Sequence, residues 1–215
     1  MEGPSREGRP FVVEPARRAR HFQCMLVFLD FEASSLGKRS YPIEVGWVFA
    51  DGRSESWLIR PAPGWTDWDP ASEAIHNIPR ATLLRDGAQH EQVAHRMIEE
   101  LDGHDLCASA PSWDGKWLSV LLRTAGLPRH SLTLRDSDDA RRECAAAILS
   151  GMVPAAQLAE TLEQILQVTD ERIRNMPPAH RALADAETER ARWLAVRVEA
   201  ERIAATGRPA ASGMR

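Results

Sequence analysis

The run CMLVFLDFE, residues 24–32, constrains the fold most strongly, because six consecutive apolar residues precede Asp30. Large apolar side chains at successive positions indicate a β-strand that is buried on both faces. Such a strand needs neighbouring strands at its edges and helices on both of its sides. The run therefore predicts the central strand of a layered α/β domain.

Shorter strands and helices follow along the chain. The other predicted strands are IEVGWVFA and SESWLIR, joined by a hairpin turn at DGR, and then HDLCASA and SLTLRD. Helices are predicted near 71–86 and over 91–101, 114–126, 138–149, 155–173 and 180–204. Three strands, then strands and helices in alternation, then helices alone, are typical of an α/β fold with a mixed five-stranded sheet flanked by helices.

Length and charge limit the classes of protein to consider. A chain of 215 residues is large enough for one domain with a substantial core, and we predict that domain over residues 23–205. Arg-, Pro- and Gly-rich composition predicts a flexible arm over 1–22 and a disordered tail over 206–215. The net charge of −4 gives no general electrostatic case for nucleic-acid binding, but a local basic patch would be sufficient.

Cysteine usage and hydropathy bear on localisation. Cys24, Cys107 and Cys144 form no CxxC pair, and an odd number of widely spaced cysteines is typical of reduced thiols. The apolar run before Asp30 is too short to span a membrane, and no signal-peptide cleavage pattern follows it. We therefore expect a soluble cytoplasmic protein with no membrane partner.

Three acidic residues stand at the ends of predicted elements. Asp30 and Glu32 are two residues apart on the central strand, so both carboxylates lie on one face of the sheet, where they repel each other unless a divalent cation binds between them. Asp114, in the segment SWD, opens the helix that follows the fourth strand. The helix dipole alone can also account for an aspartate in a first turn.

The segment PPAHRALADAETER, residues 177–190, places His180 five residues before Asp185. On one continuous helix, five residues turn the chain by about 140°, so these two side chains would diverge. They can share a site if the helix begins between them, and Pro177 and Pro178 favour such a late start. The alternative is an exposed histidine and aspartate near a helix start.

Taken together, DFE, SWD and HRALAD have the order and approximate spacing of three exonuclease motifs. The chain resembles the DEDDh 3′–5′ exonucleases, the relatives of proofreading exonucleases within the ribonuclease-H-like fold. The resemblance covers about residues 24–200, and WLIRP and IHNIP also match the stretch that links the family's third strand to its first helices. It implies a metal-dependent hydrolase that releases nucleoside 5′-monophosphates from the 3′ ends of single-stranded nucleic acid.

The resemblance also implies roles for five residues. Asp30, Glu32, Asp114 and Asp185 would bind two Mg²⁺ or Mn²⁺ ions about 3.5–4 Å apart, which clamp the scissile phosphate in an in-line displacement. Asp30 would bridge both ions. His180 would act as general base, since a histidine can accept a proton near neutral pH.

Some positions depart from the family pattern. Ala33 follows the D-x-E glutamate, where the family often has threonine, and SAPSWD replaces a motif like H-N-x-x-F-D, so that Trp113 stands for phenylalanine. The resemblance implies a pocket for the 3′-terminal nucleotide, lined here by Phe31, Ala33, Ser34 and Trp113. We expect the small residues Ala182, Ala184 and Ala186 to let the last helix approach the sheet closely.

Several alternatives remain open from the sequence. The domain could bind nucleic-acid ends without cutting them, or act as an interaction subunit through the helix near 154–174. The sequence does not distinguish DNA from RNA, or a monomer from a homodimer or a larger complex. Trp65 and Trp68 either stack on bases or pack their loop. Glu44 is interpreted as structural or as a 3′-end contact, and His76 and His90 are expected at the surface.

Overall fold

The computed structural model describes residues 24–173 and 179–206. The predictions for the arm over 1–22, for Pro177 and Pro178 and for the tail beyond residue 206 concern residues outside these ranges. Thr206 itself, predicted to begin the tail, is the final residue of the last helix.

The predicted α/β architecture with a mixed sheet is confirmed. The strands are β1 (Leu26–Ala33), β2 (Pro42–Phe49), β3 (Ser54–Arg60), β4 (Ala88–Gln89), β5 (Asp105–Ala108) and β6 (Leu134–Asp136). They form one sheet in the order β4-β3-β2-β1-β5-β6. β1 is antiparallel to β2 and parallel to β5, so it lies inside the sheet as predicted. Within the described residues the sheet has six strands instead of the predicted five, because the two-residue β4 pairs with the end of β3.

Helices cover both faces of the sheet. They are α1 (Pro70–His76), α2 (Arg80–Asp86), α3 (His90–Leu101), α4 (Pro111–Thr124), α5 (Ser137–Leu149), α6 (Ala155–Ile173) and α7 (Ala182–Thr206). Their bounds lie within a few residues of those predicted. Among the residues that the structure describes, no helix combines the length and the apolar character needed to cross a bilayer.

β1 is buried from both sides, as its composition predicts. Val27, Leu29 and Phe31 belong to a core cluster with apolar residues of α3 and α4. Phe28 faces the other way, into a cluster that includes Ala140 of α5 and residues of α7. The alternation of side chains along a strand produces these two cores. The polar residues Asp30 and Glu32, near the end of β1, lie at the edge of both cores.

Helix α7 crosses the sheet at a glycine. Gly46 of β2 pairs with Asp30 of β1, and a Cβ atom added at Gly46 would lie 2.3 Å from the Leu183 nitrogen. Ala182 and Ala186 are both fully buried, which confirms the expected close approach of α7 for these two alanines. The first turn of α7 therefore rests on the backbone of β2, beside the acidic end of β1.

Candidate active site

The end of β1 presents two carboxylates on one face. Asp30 and Glu32 are half-buried, and they alternate with the buried residues Leu29, Phe31 and Ala33. Asp30 stands opposite Gly46, while Glu32 stands opposite Glu44 on β2. The absence of a side chain at Gly46 leaves the face above Asp30 open to the first turn of α7.

Asp185 reaches the same space from α7. It lies in the first turn of the helix, and its Oδ1 accepts a hydrogen bond of 3.1 Å from the backbone N–H of Ala179. Carboxylate oxygens of Asp30, Glu32 and Asp185 lie within 4.8 Å of one another. The structure thus brings together three of the four acids predicted to bind metal.

Asp114 approaches Asp30 from the start of α4. The residue is 2% exposed, and its Oδ1 accepts a hydrogen bond of 3.3 Å from the Phe31 N–H. Its Oδ2 is buried without a hydrogen-bond partner among the described residues. A buried acceptor without a partner costs about 1–3 kcal/mol. A bound ligand that contacts this oxygen would remove that cost.

Burial raises the pKa values of Asp30, Glu32 and Asp114, and repulsion between carboxylates adds to the rise at Asp30 and Glu32. Burial raises the pKa of Asp30 to about 9, and the charges of Asp114, Glu32 and Asp185 add to the effect. Burial is also the main cause that raises the pKa of Glu32 to about 7 and that of Asp114 to about 7. The protonated forms of these carboxyl groups are therefore favoured unless a nearby positive charge stabilises the ionised forms.

These residues fit a divalent cation. The donors are all carboxylate oxygens, which suit hard ions such as Mg²⁺ and Mn²⁺. A cation would offset the burial and the repulsion that raise the pKa of Asp30, and the buried Oδ2 of Asp114 would gain a partner. The number of ions and their identity stay predictions.

His180 lies just outside the helix that carries Asp185. It is exposed, in a bend two residues before α7 begins at Ala182. Its φ angle of 50° falls in the left-handed region, which is uncommon for a residue other than glycine. The chain thus turns between His180 and Asp185, as the spacing of the two residues requires if they share a site.

Two further residues lie near this turn: Glu44, which is interpreted from the sequence as structural or as a 3′-end contact, and Arg181, for which the sequence predicts no role. Glu44 of β2 is buried and pairs with Arg181, and it also accepts the backbone N–H of Ala182. Its role at the start of α7 favours the structural interpretation of Glu44. Arg181 stands inside HRALAD, but nothing in the sequence indicates its partner on a distant strand.

The predicted lining of a nucleotide pocket needs correction. Phe31 is 4% exposed and packs in the core, because it alternates with Asp30 and Glu32 and so points to the opposite face. Ser34 is fully buried, and its hydroxyl accepts the N–H of Tyr41. Ala33 is also buried. Of the four residues proposed, Trp113 is the one with an exposed side chain, at 39%.

A groove lies beside Trp113. Its volume is about 500 Å³, and it is lined by Leu36, Gly37, Lys38, Ser112, Trp113 and Lys116. Leu36 and Trp113 are large exposed apolar residues. Lys116 Nζ lies 5.0 Å from the centre of the Trp113 ring and donates to the Gly37 carbonyl at 2.7 Å. Lys116 thus ties the loop after β1 to helix α4 and fixes both walls of the groove.

The tryptophans of the 61–69 loop pack within the protein. Trp65 stacks on Tyr41 with ring centres 5.0 Å apart, and the Trp68 Nε1 donates to Glu73 at 2.7 Å. Both side chains are partly buried. The structure therefore supports the packing interpretation for Trp65 and Trp68.

Comparison with solved structures identifies the fold. Escherichia coli exonuclease I in complex with a dT13 oligonucleotide is similar with a TM-score of 0.59 and 16% identity, over 86% of this chain and 43% of that chain. The fold is ribonuclease-H-like. A moderately thermophilic exonuclease I from Methylocaldum szegediense is similar with a TM-score of 0.56 and 16% identity, over 80% of this chain and 40% of that one.

The ribonuclease-H-like fold agrees with the resemblance to DEDDh exonucleases that the three motifs carry. The chain spans less than half the length of these exonuclease I structures. No protein-family model matches the chain, and no curated protein matches its sequence at a significant level. The assignment of individual site residues therefore rests on the motifs and on the geometry described above.

Proposed function

We propose that this protein is a metal-dependent 3′–5′ exonuclease that hydrolyses phosphodiester bonds at the 3′ ends of single-stranded nucleic acid and releases nucleoside 5′-monophosphates. The observation that carries the proposal is the convergence of Asp30, Glu32 and Asp185, whose oxygens lie within 4.8 Å of one another. Buried Asp114 adds a fourth acid to this centre. A purely structural role rarely explains a cluster of four carboxylates that repel one another.

The residues of the chain would divide the chemistry as follows. Asp30, Glu32, Asp114 and Asp185 would hold divalent cations, Mg²⁺ or Mn²⁺. When bound, such ions supply the positive charge that stabilises the attacking and leaving oxygens of phosphoryl transfer. His180 is exposed and free of the helix, so its ring can accept the proton of the attacking water at a nitrogen atom.

The groove beside Trp113 is where we propose that the terminal nucleotide lies. Trp113 directly precedes Asp114 in the first turn of α4, so the groove lies at the end of α4 that carries Asp114. Trp113 and Leu36 offer apolar surface for stacking, and Lys38 and Lys116 add positive charge. Stacking tolerates any base, so sequence preference should be weak. Paired ends must be broken first, so single strands should react faster than blunt duplexes.

The test uses 5′-labelled single-stranded DNA, duplex DNA and RNA with Mg²⁺ or Mn²⁺. Exonuclease I structures contain dT13 and dA16 oligonucleotides, which makes homopolymeric single-stranded DNA a suitable first substrate. We expect stepwise shortening from the 3′ end and a strong block by a 3′-phosphate. Asp30→Asn should abolish the reaction, while the exposed Asp102→Asn control should retain it.

Three results would contradict the proposal. Activity in EDTA would exclude the metal-dependent reaction, as would full activity of the Asp30→Asn protein. Cleavage of a circular single strand at a similar rate would exclude recognition of an end. Tight binding of 3′ ends with no product would instead favour a binding module that does not cut.

A further inference from the structure

The start of helix α7 is anchored to β2 by a buried acid. Glu44 is 3% exposed and stands opposite Glu32 in the sheet. Its Oε2 accepts the backbone N–H of Ala182, the first residue of α7, at 3.1 Å. A helix start leaves its first N–H groups without partners inside the helix, and Glu44 supplies one from a different element.

Arg181 adds a second link between the same two elements. Its Nη2 donates to Glu44 Oε1 at 2.6 Å, and its Nε donates to Oε2 at 3.0 Å. A guanidinium that contacts both oxygens of a carboxylate restricts direction as well as distance. The Arg181 side chain is 52% exposed, whereas that of Glu44 is 4% exposed, so the arginine reaches inward from the surface.

These links lie between the two residues of this segment that the proposed reaction uses. His180 precedes Arg181 directly, and the Asp185 N–H donates to the Arg181 carbonyl at 3.0 Å. Asp185 in turn accepts the Ala179 N–H, so the segment from 179 to 185 is closed by bonds at both ends. A shift of Arg181 would therefore move His180 and Asp185 together.

We propose that Glu44 and Arg181 are positioning residues that fix where α7 begins and so place His180 and Asp185 against Asp30 and Glu32. The catalytic consequence of this inference rests on the proposed nuclease function. The structural consequence does not, because it concerns the attachment of α7 to β2.

Charge also favours this pair beside the acidic centre. Burial raises the pKa of Glu32, with Asp185 and Glu44 adding to the rise, whereas Arg181 lowers it. The pair as a whole therefore adds little net charge next to Glu32. Loss of Arg181 alone would leave the buried carboxylate of Glu44 without its cation.

The experiment uses full-length protein with Arg181→Met, Arg181→Lys, Glu44→Gln and the double variant Glu44→Gln/Arg181→Met. Arg197→Met is the control, since Arg197 pairs with Glu201 on the exposed face of the same helix. The measurements are amide hydrogen exchange over residues 179–190, Mn²⁺ affinity by calorimetry, and kcat and KM on single-stranded DNA.

We expect exchange at the start of α7 to become about 5-fold faster in Arg181→Met, since one hydrogen bond contributes about 1 kcal/mol. Mn²⁺ affinity should fall about 10-fold, as when a residue that orients a metal ligand is removed. The fold-decrease in kcat should be larger than the fold-change in KM. Arg181→Lys should recover part of each loss, because it keeps the charge but not the planar fork.

The comparison of the double variant with the two single variants decides whether Glu44 and Arg181 act together. If the two residues act as a unit, the double variant is no worse than the more affected single variant. Additive losses, or exchange and Mn²⁺ affinity like those of the wild type in both single variants, would overturn the inference. If Glu44→Gln does not fold, the two Arg181 variants still test it. If the wild-type protein lacks nuclease activity, the proposed function fails, while exchange and Mn²⁺ affinity still test the positioning role.

Discussion

Replacing Gly46 with alanine tests the closest contact between the sheet and helix α7. The added Cβ would lie 2.3 Å from the Leu183 nitrogen, 2.5 Å from the Leu183 Cα and 2.7 Å from the Ala182 carbonyl carbon. All three are backbone atoms, so no side chain can rotate to make room. The variant must therefore move the first turn of α7 away from β2.

The distances set the size of the effect. Nonbonded carbon atoms rest about 3.5–4.0 Å apart, so the helix must retreat by about 1 Å or more. Overpacking of a rigid core costs about 1–3 kcal/mol and occasionally more, and we expect the upper end for Gly46→Ala. Asp185 lies in the displaced turn, and a misplacement of about 1 Å can cost about 10²-fold in rate.

The assay is the free energy of unfolding in urea, together with Mn²⁺ affinity by calorimetry. Gly115→Ala is the matched control, because a Cβ there would meet no atom within 4 Å among the described residues outside its own helix backbone and chain neighbours. Alanine in a helix is favoured over glycine by about 1 kcal/mol at most, so the control should be as stable as the wild type or more so. A Gly46→Ala protein with unchanged stability and unchanged Mn²⁺ affinity would refute the reasoning.

Three further predictions concern the acidic centre and the groove. Without metal, the protein should lose stability as pH rises from about 4 to about 9. The folded pKa values of Asp30, about 9, and Glu32, about 7, lie above the unfolded values, so the native state binds more protons in this range. Thermal unfolding at pH 6 and pH 8 measures the loss, and Asp30→Asn should reduce the dependence of stability on pH. His180→Ala should slow hydrolysis by about 10²–10⁴-fold with Mn²⁺ affinity retained, and an unchanged rate would show that another group takes the proton. Trp113→Ala should weaken oligonucleotide binding by the equivalent of about 1–3 kcal/mol, measured as Kd, and an unchanged Kd would exclude stacking there.

Local patterns predict most of the fold. The apolar run before Asp30 identifies the central strand because it needs cover on both faces, and β1 has that cover. The two-residue β4 carries no periodic pattern of its own and forms through its pairing with β3. The sequence therefore predicts the long elements, whereas this short edge strand depends on tertiary contacts.

The convergence of three acids is predictable from the sequence, because these acids lie at the ends of predicted strands and helices. Asp30, Glu32 and Asp185 lie at such ends and converge. Phe31 was misplaced in the predicted pocket, although the alternation of β1 already turns it away from its acidic neighbours. His76 and His90, both expected at the surface, are 3% and 5% exposed. The Glu44–Arg181 pair joins residues 137 positions apart, a distance at which no local pattern indicates a partner.

The crossing of α7 over Gly46 has a consequence for the order of folding. Asp30 and Glu32 belong to the first strand of the described structure and Asp185 to its last helix. A chain with β1, β2 and β3 paired but α7 still undocked would hold two of these acids without the third. Cation binding and helix docking would then be coupled steps, and an ion present at 100 times its Kd would stabilise the docked state by about 2.7 kcal/mol. Only chains that had completed folding would carry an assembled centre, and under the proposed nuclease function partly folded chains would not cut nucleic acid.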